Sequence, residues 1–197
     1  MKSNQFEQME KPFRSGFILA GGKSSRMGTN KALIVFQNEP LLVRMKNRIE
    51  PFCNQVFISG SKPKYSGFDA LLIPDVFSEC GPISGLYSCL KFSSSGWNLI
   101  VSVDSPFVNE ELFSFLISNA TDCDCVIPQH ESGVEPLIGI YHKKSIPVIE
   151  EMIHAGDFKL MNLLTKLNTK YLDCNPLILK YPRLFFNLNR LEDFQSI

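Results

Sequence analysis

Leu19-Ala20-Gly21-Gly22-Lys23-Ser24-Ser25-Arg26-Met27-Gly28-Thr29-Asn30-Lys31 continues directly from the apolar run Phe17-Ile18-Leu19-Ala20. That run is short and stops at two glycines, so it reads as a buried strand ending in a loop. Adjacent glycines let the backbone turn tightly and present its N–H groups, and a concavity of such groups binds phosphate. Lys23, Arg26 and Lys31 add three cations to the loop, and Ser24 and Ser25 add hydroxyl donors. The combination points to a nucleotide's phosphates; the plainer alternative is a solvated turn with scattered charges. Gly22-Lys23-Ser24 also matches the end of a P-loop, G-x-x-x-x-G-K-[ST]. That motif needs glycine at position 17, which is Phe17, and a loop where this chain reads as strand.

Outward from this loop, apolar runs alternate with helical periodicity. Leu41, Leu42, Met45, Ile49 and Phe52 recur at helical spacing and predict an amphipathic helix. Val56-Phe57-Ile58 and Leu71-Leu72-Ile73 are the next strands, and Ile83, Leu86, Tyr87 and Leu90 mark a second helix. Leu99-Ile100-Val101-Ser102-Val103 is the strongest strand, and Asn109 is a good cap for a helix through Leu112 and Leu116. Cys125-Val126-Ile127 and Leu137-Ile138-Gly139-Ile140-Tyr141 are later strands. A helix from Ile146 stops at Gly156, and Leu160, Leu163, Leu164 and Leu167 suggest another. Phe185-Phe186-Asn187-Leu188 reads as a final strand, and residues 191–194 as a closing helical turn. Strands separated by helices predict an α/β fold, with a mainly parallel sheet and helices on both faces. Such sheets bind ligands beyond the carboxyl ends of their strands, which directs attention to the residues after Ala20, Ile58, Ile73 and Val103.

The chain has 197 residues, the length of one domain, expected over 15–197 behind a flexible tail at 1–14. Twenty basic residues balance twenty acidic ones, so net charge argues for neither nucleic acid nor an anionic membrane as partner. No apolar run reaches the ~20 residues that span a bilayer, and the charged amino-terminal segment does not read as a secretory signal. The six cysteines are scattered without a C-x-x-C pair. They are expected to be reduced and packed, in a cytoplasmic protein, with a metal or redox role as the alternative.

Four segments stand in order along the chain: Leu19-Ala20-Gly21-Gly22-x-Ser24-x-Arg26-Met27-Gly28 with Lys31-Ala32-Leu33, Gly81-Pro82-Ile83-Ser84-Gly85-Leu86, Asp104-Ser105-Pro106-Phe107, and Phe186-Asn187-Leu188-Asn189 followed by Glu192. Together they resemble the nucleotidyltransferases that activate small phosphorylated compounds, and among them the molybdenum cofactor guanylyltransferase (MobA) family. The resemblance implies a three-layer, Rossmann-like fold. It also implies transfer of GMP from GTP to the phosphate of molybdopterin, with release of pyrophosphate. It places GTP against Leu19, Ala20, Gly21, Lys31, Asp75 and Asp104; Gly22, Ser59, Gly81 and Pro82 are further GTP-binding candidates, Ser59 as a hydrogen-bond donor and Gly81-Pro82 as a tight turn near the base or ribose, with a plain loop acid at Asp75 and simple helix entry at Gly81 as the alternatives. It makes Asp104 a magnesium (Mg2+) ligand. Where the family commonly has asparagine after the second strand, this chain has Ser59-Gly60.

The residues themselves support such chemistry. An anionic nucleophile must approach another anion, so positioning and charge neutralisation dominate catalysis. Arg26 and Lys31 are candidates to stabilise the leaving pyrophosphate, and Asp104, at the end of the strongest strand, is a candidate metal ligand; surface charges and a capping aspartate are the plainer readings. Asn189, or Asn187 beside it, is a candidate second oxygen ligand or phosphate contact, and strand geometry would turn both to one face. Pro136 and Asn187 are candidates for the pterin side. His130, His142 and His154 read as structural or surface residues. Two rival readings stand beside the main one: a related enzyme using CTP, UTP or another acceptor, and a non-catalytic nucleotide-binding protein that delivers the cofactor to a partner.

Overall fold

The strand that opens the glycine stretch, β1 (Arg14–Leu19), lies inside an eight-stranded sheet in the computed structural model, which describes residues 14–21, 31–60, 71–188 and 193. A small antiparallel pair, β2 (Val35–Phe36) and β3 (Glu39–Pro40), stands apart from that sheet. β1 pairs in parallel with β4 (Gln55–Ser59) on one side and β6 (Trp97–Ser102) on the other. β5 (Leu71–Ile73) pairs in parallel with β4 at one edge. Beyond β6 the order is reversed in sequence: β7 (Cys125–His130), with its hairpin partner β8 (Gly133–Val134), is separated from β6 by the antiparallel β9 (Ile138–His142). β10 (Thr169–Asp173) closes the far edge in parallel with β7.

Side-chain alternation along the strands builds two apolar layers. Ile18, Ile58, Leu99, Val101 and Val126 face one core, which is covered by α1 (Leu41–Ile49) and α3 (Glu110–Ser118). Phe17, Leu19, Phe57, Ile100 and Ile127 face the other, which is covered by α2 (Pro82–Phe92), α4 (Ile146–His154) and α5 (Leu160–Lys166). The three-layer α/β expectation therefore holds, with β9 as the antiparallel member of a mostly parallel sheet. The Asn109 cap is present: its side chain accepts from the Leu112 N–H at 3.0 Å. Gly156, just past α4, has φ 73°, the left-handed conformation that stops a helix. Among the described residues no helix is long and apolar enough to cross a membrane.

Two expectations are corrected. β1 begins at Arg14, inside the span assigned to a tail; residues 1–13 lie outside the described ones. Phe185–Leu188 is not a strand. Leu184 and Leu188 are buried and Phe185 spends its ring on His130, so that apolar run packs a turn against the core. The sheet's last strand is instead β10, followed by α6 (Asn175–Lys180). β10 buries only Leu172, because it is an edge strand, and so carries little apolar alternation to be read. The closing turn expected at residues 191–194 falls mostly outside the described residues.

Candidate active site

The carboxyl ends of β1, β4, β5 and β6 share one edge because these strands are parallel. Backbone bonds continue past the strand ends there. Ala20 N–H donates to the Ser59 carbonyl (3.0 Å), Gly60 N–H to Ile73 (3.0 Å) and Val103 N–H to Leu19 (3.2 Å). The loops therefore start from fixed points, and two polar stations stand on them.

The first station is Ser59, Asp75, Gly21 and Gly85. Ser59 is buried, and its hydroxyl donates to Asp75 Oδ1 at 3.3 Å. A methyl group on Gly21 would lie 3.9 Å from Asp75 Oδ2; one on Gly85 would lie 3.2 Å from Ser59 Oγ and 3.6 Å from Asp75 Oδ1. Gly21 is exposed beside the carboxylate, whereas Gly85 is buried and lets α2 pack closely under Ser59 and Asp75. Burial raises the Asp75 carboxyl above its ordinary range, and the Ser59 hydroxyl works against that shift. No cation is paired with Asp75 among the described residues. Helix α2 holds the following loop. Ser88 Oγ accepts from Val76 N–H (2.8 Å), and Ser84 Oγ donates to the Phe77 carbonyl (2.5 Å). Gly81 caps α2 at φ 69°, a conformation suited to glycine, with Pro82 at the first helical turn. Cys89 is buried against Ser59, and burial pushes its thiol well up, so it is an inert packing group.

The second station is Asp104. Its Oδ1 accepts from Ser102 Oγ at 2.5 Å, and its Oδ2 lies 3.3 Å from Lys31 Nζ. Its carbonyl accepts from Leu188 N–H at 2.8 Å, and Ser105 Oγ donates to Asn187 Oδ1 at 2.5 Å. The carboxyl-terminal segment is thereby fastened to the Asp104 turn. Asn187 reaches this place from a turn and not from a strand, so the shared-face argument for Asn187 and Asn189 does not apply. Among the described residues no three His, Cys, Asp or Glu side chains gather as a metal cluster. Asp104 fits a divalent ion of another kind, one held by few protein oxygens and by a ligand's phosphates. A cation, Lys31, already stands at its carboxylate.

A family model described as a MobA-like NTP transferase domain matches residues 16–170. The chain belongs to that family. A relative from Flavobacterium johnsoniae, "Probable molybdenum cofactor guanylyltransferase", is 39% identical over 77% of this chain and 80% of its own. One of the same description from Clostridium perfringens is 29% identical over 93% of this chain and 96% of its own. The crystal structure of molybdopterin-guanine dinucleotide biosynthesis protein A from Archaeoglobus fulgidus matches with TM-score 0.80 and 26% identity, over 92% of this chain and 95% of that one.

Within this MobA-like domain the structure brings Leu19, Ala20, Gly21, Lys31, Ser59, Asp75 and Asp104 to one sheet edge, with Gly81 and Pro82 exposed at the amino end of α2. Pro136 lies at the amino end of β9, where its carbonyl accepts from the buried Tyr141 hydroxyl at 2.7 Å. Gly22, Arg26 and Asn189 lie outside the described residues. Sequence reasoning missed Ser102, Ser84 and Ser88. The last two are four apart on α2, a spacing that puts both hydroxyls on one helix face.

Proposed function

We propose that this protein transfers GMP from GTP to the phosphate of molybdopterin, giving molybdopterin guanine dinucleotide and pyrophosphate. The observation that carries the reading is the pair of stations on one edge: a carboxylate at Asp75 held by the Ser59 hydroxyl and a cation-bearing carboxylate at Asp104. Guanine presents a ring N–H beside an amino group, and a carboxylate only accepts, so Asp75 suits that edge. Cytosine and adenine present an acceptor at the corresponding ring nitrogen and would meet Asp75 with like partners. The exposed Gly21 lets a flat base or ribose approach the backbone beside it. The relatives' names support the choice of both substrates.

In the transfer, an oxygen of the acceptor phosphate bonds to the α-phosphorus while the bond to the bridging oxygen breaks and pyrophosphate leaves. A phosphate monoester loses its second proton near pH 6, so no general base is needed. Lys31 neutralises charge on the departing phosphates, and Arg26 and the backbone of Gly21 and Gly22 join it. Asp104 would hold magnesium, with Asn189 as a further oxygen donor; the bound ion would supply charge neutralisation across the triphosphate. Ser102 fixes the Asp104 carboxylate. Pro136 and Asn187 border the acceptor's side. We place the reaction in the cytoplasm, a reading favoured by five buried cysteines.

The test is a nucleotide panel with the purified protein, magnesium and molybdopterin, read as pyrophosphate release and as the pterin dinucleotide product. GTP alone should give product. Preference for CTP, or nucleotide binding without turnover, overturns the reading.

A further inference from the structure

Glu135 follows the β7–β8 hairpin at the same edge as Asp104. β7 is antiparallel to β9, and β9 to β6, so the carboxyl end of β7 lies beside that of β6. Asp104 bears electrostatically on the Glu135 carboxyl, which sits on the side of Asp104 away from β4 and β5. Nucleotide station and Glu135 therefore flank the Asp104 turn on opposite sides.

The carboxylate is held in place. His130, the last residue of β7, lies 3.2 Å from Glu135 Oε1 through Nε2. The Ser132 N–H points at His130 Nδ1 at 3.2 Å, so Nδ1 accepts and the proton belongs on Nε2, donating to Glu135. Phe185 lies flat on the imidazole, with ring centroids 5.0 Å apart and planes at 10°. From Phe185 the chain runs to Asn187 and Leu188, which are fastened to Ser105 and Asp104. One strap thus ties the His130–Glu135 pair to the Asp104 turn.

Glu135 is costly as a purely structural group. Its side chain is 21% exposed, and burial raises its carboxyl, a shift that the His130 contact opposes and the Asp104 charge reinforces. Among the described residues His130 makes the only hydrogen bond to this carboxylate. A desolvated carboxylate with acceptor capacity left over calls for N–H donors.

We propose that Glu135, oriented by His130, recognises the acceptor's heterocycle through a ring N–H and its adjacent amino group. The proposal rests on the reading of the acceptor as a pterin, whose 2-amino-4-oxo ring carries that donor pair. Glu135 is the recognition residue; His130 is a positioning residue that takes one lone pair of Oε1 and leaves Oε2 and the other lone pair of Oε1 to the ligand's two donors.

The test separates recognition from chemistry. Binding of 6-hydroxymethylpterin and of 6-hydroxymethyllumazine, in which an oxo group replaces the 2-amino group, is measured by quenching of their fluorescence. The wild-type protein should prefer the pterin about tenfold or more, the size expected of a hydrogen bond to a charged group. Glu135→Gln should abolish the preference and raise the acceptor KM by a similar factor, with GTP affinity and kcat within about twofold. His130→Phe keeps a ring against Phe185 and should reduce the preference partially, again in KM and not in kcat. An absent wild-type preference, or a Glu135→Gln protein that keeps it, overturns the assignment. Pterin preference without GMP transfer would instead defeat the proposed reaction and leave the recognition site standing. Melting curves and GTP titration of each variant show that the fold is intact.

Discussion

Lys31 and Asp104 are 73 residues apart in sequence and meet with Nζ 3.3 Å from Oδ2. Their side chains are 22% and 24% exposed, so the pair is partly solvated. Ion pairs of that kind add little to stability, on the order of 1 kcal/mol or less. The arrangement makes more sense as charge placement: a carboxylate that attracts a cation, and a cation that attracts phosphate, are held together before any ligand arrives.

Asp104→Asn should therefore leave the fold almost unchanged and disable the reaction. Magnesium-dependent pyrophosphate release is expected to fall by about 100-fold or more in kcat/KM, the size seen when one preorganised electrostatic group is removed. Melting should shift by only a few degrees, as a partly exposed pair implies. Retained turnover would remove Asp104 from the mechanism.

Asp75→Asn should separate stability from binding. Burial raises the Asp75 carboxyl, so the folded state favours the protonated form. That contribution is fully present below the unfolded value of about 3.9 and is lost as pH rises through the folded one. Asp75 is largely exposed, so water screens most of this penalty and its effect on stability at pH 7 is small. The variant should melt at or above the parent at neutral pH, with the difference vanishing near pH 3, while GTP affinity falls about tenfold or more. A variant that melts well below the parent at pH 7 would contradict this account of Asp75.

Gly85→Ala sets helix propensity against space. Alanine in a helix is favoured over glycine by about 0.5–1 kcal/mol. The added methyl would lie 3.2 Å from Ser59 Oγ and 3.5 Å from Leu19 Cδ2, which consumes part of that gain. Urea denaturation should show stability near the parent's, and the GTP KM should rise several-fold as the methyl displaces Ser59 Oγ and with it the Asp75 carboxylate. An unchanged KM would move the nucleotide away from α2.

Gly139→Ala tests the junction of β9 with β7. A methyl there would lie 2.8 Å from the Val126 carbonyl and 2.7 Å from Ile127 Cδ1. The carbonyl is backbone and cannot rotate aside. Overpacking should cost about 2–3 kcal/mol, seen as a lower urea midpoint with the same slope. A midpoint equal to the parent's would show that the sheet relaxes there.

Much of the fold was legible because its signals are local. Phe17-Ile18-Leu19 running into glycines, the helical spacing of Leu41, Leu42, Met45 and Ile49, and the Asn109 cap each depend on a few neighbours in sequence. Short motifs likewise pointed to Gly21, Lys31 and Asp104, and the family resemblance, with its place after the third strand, to Asp75. Edges and returns were not legible. β10 buries one side chain, and Phe185–Leu188 carries a strand-like pattern yet packs a turn, because burial at a sheet edge depends on what lies alongside.

The sequence by itself determined the alternation of strands and helices and the motifs of the MobA-like family, since backbone conformation and side-chain chemistry are properties of short segments. Only tertiary structure decided which charges are neighbours. It brought Lys31 to Asp104, set Ser59 under Asp75, and placed Glu135 with His130 on the far side of the same turn. Coulomb and hydrogen-bond energies depend on distance in space, and strand pairing across the sheet is what sets those distances.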